Sequence, residues 1–171
     1  IAGHNALSDT DPHTYTIEKN HVVTFDTNEG SDTPDTVKIW DNDYLTDPDY
    51  QGTKAHHQFV GWFVGDQAFE FNETKITSPV TLTAKWRLNE YAVQFHKNNG
   101  TGMMEKQTFQ YGEQKALSEN TFSRTGYTFT DWNTQANGEG NSFTDKQEVK
   151  NLSEEDGVTI DLYAQWKLNT Y

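Results

Sequence analysis

The sequence predicts a mainly β (α+β) chain of two small tandem domains, each mostly strand with at most a short helix. Three observations carry this: an internal repeat, strand-period alternation of apolar residues, and turn-forming residues between the alternating runs. Val23-Thr24-Phe25 recurs as Val93-Gln94-Phe95, and Gly30 recurs as Gly100. His57-Gln58-Phe59-Val60-Gly61-Trp62 recurs as Tyr127-Thr128-Phe129-Thr130-Asp131-Trp132, again at an offset of 70. Thr81-Leu82-Thr83-Ala84-Lys85-Trp86 returns as Asp161-Leu162-Tyr163-Ala164-Gln165-Trp166 at an offset of 80, so the second copy holds about ten extra residues before its last strand. Arg87-Leu88-Asn89-Glu90-Tyr91 follows the first copy and Lys167-Leu168-Asn169-Thr170-Tyr171 the second. Tyr91 opens the second copy, so Tyr171 is expected to open a third.

Along the chain, residues 1–20 stand outside the repeat and read as a linker or the end of an upstream domain, with a short strand expected at Thr14-Tyr15-Thr16-Ile17. The first copy is assigned to 21–88, the second to 89–171 with the start of a third. In the first, Val23 and Phe25 alternate with Thr24, and Asp26-Thr27-Asn28-Glu29-Gly30 supplies turn chemistry. A second strand is expected around Val37-Lys38-Ile39-Trp40, followed by a polar, irregular stretch from Asp41 to Ala55. Phe59 to Phe63 resumes as strand, turns at Gly65-Asp66 and continues through Phe69-Glu70-Phe71. The last strand sets Val80, Leu82, Ala84 and Trp86 on one face. The second copy has the same order, with Val158, Ile160, Leu162, Ala164 and Trp166 inward and a turn at Asn137-Gly138. Asp145 to Leu152 predicts two helical turns capped by Asp145 and Glu148, and a further helical turn is expected near Gln114 to Leu117.

Composition restricts function. The chain has 171 residues, 33% of them hydrophobic, but also 5 Trp, 10 Phe and 8 Tyr, which suits small aromatic cores under polar surfaces. Its formal net charge is −13, with 13 Lys+Arg against 26 Asp+Glu. Such a balance leaves little basic surface for nucleic acid and disfavours anionic membranes and sulfated glycans. There is no Cys, hence no disulfide, thiol nucleophile or Cys-ligated metal. No apolar run approaches the roughly 20 residues needed to span a bilayer, so no membrane insertion is expected.

Thr24-Phe25-Asp26-Thr27-Asn28, Phe59-Val60-Gly61-Trp62-Phe63 and Leu82-Thr83-Ala84-Lys85-Trp86 together resemble the Listeria–Bacteroides repeat, also called the internalin B-repeat. The second copy matches through Gly126-Tyr127-Thr128-Phe129, Trp132-Asn133-Thr134 and Leu162-Tyr163-Ala164-Gln165-Trp166. Departures are Gly61 against Asp131, His56-His57 against Gly126-Tyr127, and an acidic insertion around Asp41 to Asp49. The resemblance implies a β-grasp-like module with a mixed sheet, found in tandem in extracellular bacterial proteins between an adhesive or enzymatic region and a cell-wall anchor. It supplies no catalytic residue, so no enzyme and no cofactor are expected.

The structural core is assigned to Phe25, Phe59, Trp62, Leu82 and Trp86 in the first copy and to Phe95, Phe129, Trp132, Leu162 and Trp166 in the second. Their alternation with polar residues favours packing over a sugar platform. Trp40, Tyr44 and Tyr50 lie in an acidic stretch outside the matched motifs. They form either a ligand surface for a host protein or glycan or a loop that tucks Trp40 into the core. The loop from Gln135 to Asn141 is the copy-specific candidate in the second repeat. Asp26-x-Asn28-x-Gly30-x-Asp32 resembles a calcium loop without the distal Glu, and the second copy has His96 for Asp26. His56 and His57 are adjacent on a strand, point to opposite faces and make a poor chelate. Ser153-Glu154-Glu155-Asp156 reads as a solvated turn rather than a catalytic carboxylate pair. The expected function is a non-enzymatic stalk or spacer of a secreted or wall-attached bacterial protein. Its partners are the neighbouring repeats; the alternative is an adhesive module.

Overall fold

The computed structural model describes residues 18–171, so the strand expected at 14–17 and nearly all of the expected linker lie outside the described residues. The first copy holds β1 (Asn20–Asp26), β2 (Val37–Trp40), β3 (Asp43–Tyr44), β4 (His57–Val64), β5 (Gln67–Ala68), β6 (Lys75–Ile76) and β7 (Val80–Leu88). The second holds β8 (Glu90–His96), β9 (Gln107–Gln110), β10 (Gln114–Ala116), β11 (Tyr127–Asn133), β12 (Ser142–Phe143), β13 (Glu148–Lys150) and β14 (Thr159–Leu168). The main sheets run β2-β1-β7-β4-β5 and β9-β8-β14-β11-β12, and a two-stranded ribbon accompanies each, β3-β6 and β10-β13. In each sheet the central pair is parallel and its neighbours antiparallel. The protein is mainly β, with two similar mixed-sheet units.

No helix occurs among the described residues, which corrects both helical expectations. Gln114–Ala116 and Glu148–Lys150 instead pair with each other, Lys115 facing Val149. Lys146 and Asn151 sit at φ 56° and 50°, which interrupts any helix, and Asp145 accepts a hydrogen bond from the Asn120 N–H at 2.9 Å rather than capping. Burying Val149 against the core outweighs a weak local helical signal. The strand expected through Phe69-Glu70-Phe71 is shorter; β5 stops at Ala68, and Phe69 packs edge-on against Phe71 at 5.0 Å.

A three-residue spacing such as Phe59 to Trp62 would put the two rings on opposite faces of a regular strand. A β-bulge resolves this. Phe59 pairs with Trp86 and Gly61 with Lys85, so one extra residue resets the alternation, and the same shift falls between Phe129 and Trp132. Both aromatics then face inward. Trp62 meets Phe25 at 5.0 Å and Phe59 at 5.6 Å; Trp132 meets Phe95 at 4.8 Å and Phe129 at 5.0 Å. Phe25, Trp62, Leu82, Phe95, Trp132 and Leu162 are buried, while Phe59, Trp86, Phe129 and Trp166 are half-buried against the same two clusters.

The turn after the first strand of each copy is built the same way. Asn28 and Glu29, like Asn98 and Asn99, take successive left-handed conformations, which Asn tolerates. The indole N–H of Trp86 donates to the Thr27 carbonyl at 2.9 Å, and that of Trp166 to Lys97 at 3.1 Å. The Asp26 carboxylate accepts the Asn28 N–H, and among the described residues no group of three or more His, Asp or Glu gathers around a metal-sized space.

Candidate functional site

Polar bonding concentrates where the copies meet. A single residue, Asn89, separates β7 from β8, and all four of its hydrogen-bonding groups are engaged. Toward the first copy, its N–H donates to the His56 carbonyl at 2.8 Å and its Oδ1 accepts from Gln58 Nε2 at 2.8 Å. Toward the second, its carbonyl accepts the Tyr111 N–H at 2.8 Å and its Nδ2 donates to the Glu154 carbonyl at 2.9 Å.

Beside it, Arg87 makes a two-pronged contact with Asp156, at 2.7 Å to each carboxylate oxygen. Planar pairing of this kind adds direction as well as attraction. Asp156 also accepts the Glu90 N–H at 3.0 Å, and Gly157 N–H donates to the Glu90 carbonyl at 2.8 Å. The Arg87 guanidinium, together with that backbone N–H, holds the Asp156 carboxyl down at about 2, and Asp156 in turn raises Arg87 above its ordinary value. The pair is charged throughout the neutral range.

His56 completes the joint. Its ring stacks on Tyr111 with centroids 3.8 Å apart and planes 5° apart. His56 does so at φ 58°, a left-handed conformation that the second copy gives to Gly126 at φ 78°. A non-glycine residue there costs about 1–2 kcal/mol, and the stacked ring is the visible gain.

The extra residues of the second copy acquire a role here. Ribbon pairing matches Val149 to Ile76, and sheet pairing matches Ile160 to Val80. Three of the ten extra residues therefore fall between Trp132 and Val149. The other seven fall between Val149 and Ile160, in the loop that carries Glu154, Asp156 and Gly157 to the joint. The Ser153-to-Asp156 segment, expected as a solvated turn, is thus a clasp on the preceding copy. Its only advance signal in the sequence was the change of offset from 70 to 80.

The structure does not bring the three candidate ligand aromatics together. Trp40 ends β2 with 52% exposure and is not tucked into the core; Tyr44 on β3 is 42% exposed, with Lys75 Nζ 5.8 Å from its ring. Tyr50 turns inward, its ring against Phe59 at 5.0 Å and Trp62 at 5.1 Å, and its hydroxyl donates to the Ser31 carbonyl. The loop from Gln135 to Asn141 wraps buried Asn133, whose Oδ1 accepts the N–H groups of Gln135 and Gly140, both at 2.9 Å.

The Listeria-Bacteroides repeat domain model matches the chain twice, over residues 21–85 and 91–165. Two relatives come from Evansella cellulosilytica. One, described as "Putative membrane protein", is 30% identical over 87% of this chain and 22% of its own length. The other, "Putative Gly-rich membrane protein", is 28% identical over 88% of this chain and 17% of its length. The chain thus spans about a fifth of the relatives it matches. No solved structure matches it significantly. With both copies matched across most of the sequence, the chain belongs to the Listeria-Bacteroides repeat family.

Proposed function

We propose that the two copies form a non-enzymatic stalk or spacer of an extracellular bacterial surface protein, holding a distal domain at a set distance and direction. The observation that supports this is the joint. A connection of one residue, bonded twice to each copy, with a charged clasp and a stacked ring beside it, resists bending in a way a polar linker does not. The net charge of −13 disfavours self-association of neighbouring stalks. The relatives' descriptions as membrane proteins suit attachment at a cell envelope.

A second reading, adhesion to a host protein or glycan, draws on the exposure of Trp40 and Tyr44 beside Asp41 and Asp43. Cysteine pairs are easily placed in a chain that has none. Spin labels at Thr24 and Thr108, both exposed strand positions, should give one narrow inter-copy distance distribution that Asp156→Ala broadens. A broad distribution in the unmodified protein would sink the stalk. Saturable binding to matrix proteins or glycans, abolished by joint Trp40→Ala and Tyr44→Ala changes, would favour adhesion.

A further inference from the structure

The end of the second copy repeats the bonding that, at the end of the first, receives the following copy. Asn169 N–H donates to the Gly126 carbonyl at 2.9 Å, as Asn89 N–H does to His56 at 2.8 Å. The Thr128 hydroxyl donates to Asn169 Oδ1 at 2.7 Å, as the Gln58 amide does to Asn89 Oδ1 at 2.8 Å. Both asparagines are therefore held from behind by their own copy. The Nδ2 of Asn89 reaches the clasp carbonyl, whereas the Nδ2 of Asn169 has no partner among the described residues. Lys167 stands where Arg87 meets Asp156. Leu168 is 60% exposed, although its counterpart Leu88 is half-buried at the joint.

We infer that this end, formed by Gly126, Thr128, Lys167, Leu168 and Asn169, is a docking face for a further copy of the same repeat. That copy must be of the second type, carrying the seven-residue insertion with a carboxylate at its tip. A copy of the first type does not fit, because only Thr77-Ser78-Pro79 separates Ile76 from Val80, too short to reach back. The first copy also has Asp41 where the second has Tyr111, and that carboxylate lies 2.6 Å from Nε2 of buried His21. The joint is thus directional: the preceding copy offers a cation and a held asparagine, and the following copy brings the clasp. Lys167 supplies a point charge rather than a planar fork, and Gly126 offers no ring for stacking. The second joint is built on Asn169 and one ion pair. This inference rests on the stalk reading and adds the partner that the face at Asn169 receives.

The test is an extended chain in which residues 92–171 follow Tyr171 a second time, so that Tyr171 takes the place of Tyr91. Spin labels at Thr108 and its counterpart in the appended copy report the new joint; labels at Thr24 and Thr108 report the existing one. The expected result is a single narrow distribution across each. Asp156→Ala confined to the appended copy, or Asn169→Ala, should broaden only the new one by twofold or more, and Lys167→Arg should narrow it. A narrow first joint with a broad second one in the unsubstituted extended chain overturns this inference and leaves the stalk standing. Broad distributions across both overturn the stalk itself. A narrow second joint indifferent to Asp156 and Asn169 overturns the assigned contacts. Near-ultraviolet circular dichroism of the extended chain reports whether the appended copy, identical in sequence to residues 92–171, has packed its tryptophans.

Discussion

Replacing Gly100 by alanine isolates the contact between the second copy's first turn and its last tryptophan. Gly100 is not at a left-handed φ, so alanine meets no backbone obstacle there. Restricting the unfolded chain would by itself stabilise the fold by about 0.4–1 kcal/mol. Space reverses the sign. A Cβ at this position lies 2.7 Å from Trp166 Cζ2 and 2.9 Å from the carbonyl oxygens of Lys97 and Ser123, well inside an ordinary contact of roughly 3.5–4 Å. Two of the three neighbours are backbone, so the indole must move, and its N–H is held by the Lys97 carbonyl at 3.1 Å. Overpacking of this kind costs about 1–3 kcal/mol, and weakening the indole bond adds about 0.5–1.5 kcal/mol. After the unfolded-state gain, the net loss is about 0.5–4 kcal/mol, centred on about 2 kcal/mol. In a domain of this size a loss of about 2 kcal/mol lowers Tm by roughly 8–16 °C. Scanning calorimetry should show the second copy's transition falling while the first moves less. Gly30→Ala, whose Cβ would meet Trp86 Cζ2 and the Tyr50 hydroxyl, should do the converse. A fall below about 2 °C for Gly100→Ala would refute the claim that the indole closes rigidly on this turn.

Two further outcomes follow from single side chains. Asn133→Ala removes the acceptor for the Gln135 and Gly140 N–H groups and leaves both short of partners near the core; urea unfolding should show a loss of about 2–4 kcal/mol, and a loss under about 0.5 kcal/mol would mean the loop does not depend on it. The joint should also be acid-resistant. The Asp156 carboxyl is lowered from 3.8 to about 2 by Arg87 and the Glu90 N–H, so its contribution is complete above the unfolded value and is lost as pH falls through the folded one. The distance between labels at Thr24 and Thr108 should hold its width from pH 7 to 4 and broaden only toward pH 2; broadening already at pH 5 would contradict the pairing.

Much of the site was illegible in the sequence for a physical reason. Arg87 and Asn89 stood in a visible repeated tail, but their partners, Asp156 and the Glu154 carbonyl, lie 69 and 65 residues further along the chain, in an acidic run indistinguishable from a solvated turn. The exposed pair Trp40 and Tyr44 was legible as unusual, whereas the inward turn of Tyr50 depends on the space under Trp62 and Phe59 that only the folded sheet creates.

By itself the sequence determined two copies, the main-sheet strands that carry the repeated motifs, and the aromatic positions that recur between the copies. Those properties rest on local periodicity and on turn residues such as Asn28 and Asn98, which act within a few residues of chain. The tertiary structure decided the bulge that turns Phe59 and Trp62 to one face, the strand rather than helix at Glu148–Lys150, and the joint at Asn89. Each depends on which distant segment lies across the sheet, and the pattern of a single segment does not record what it will face.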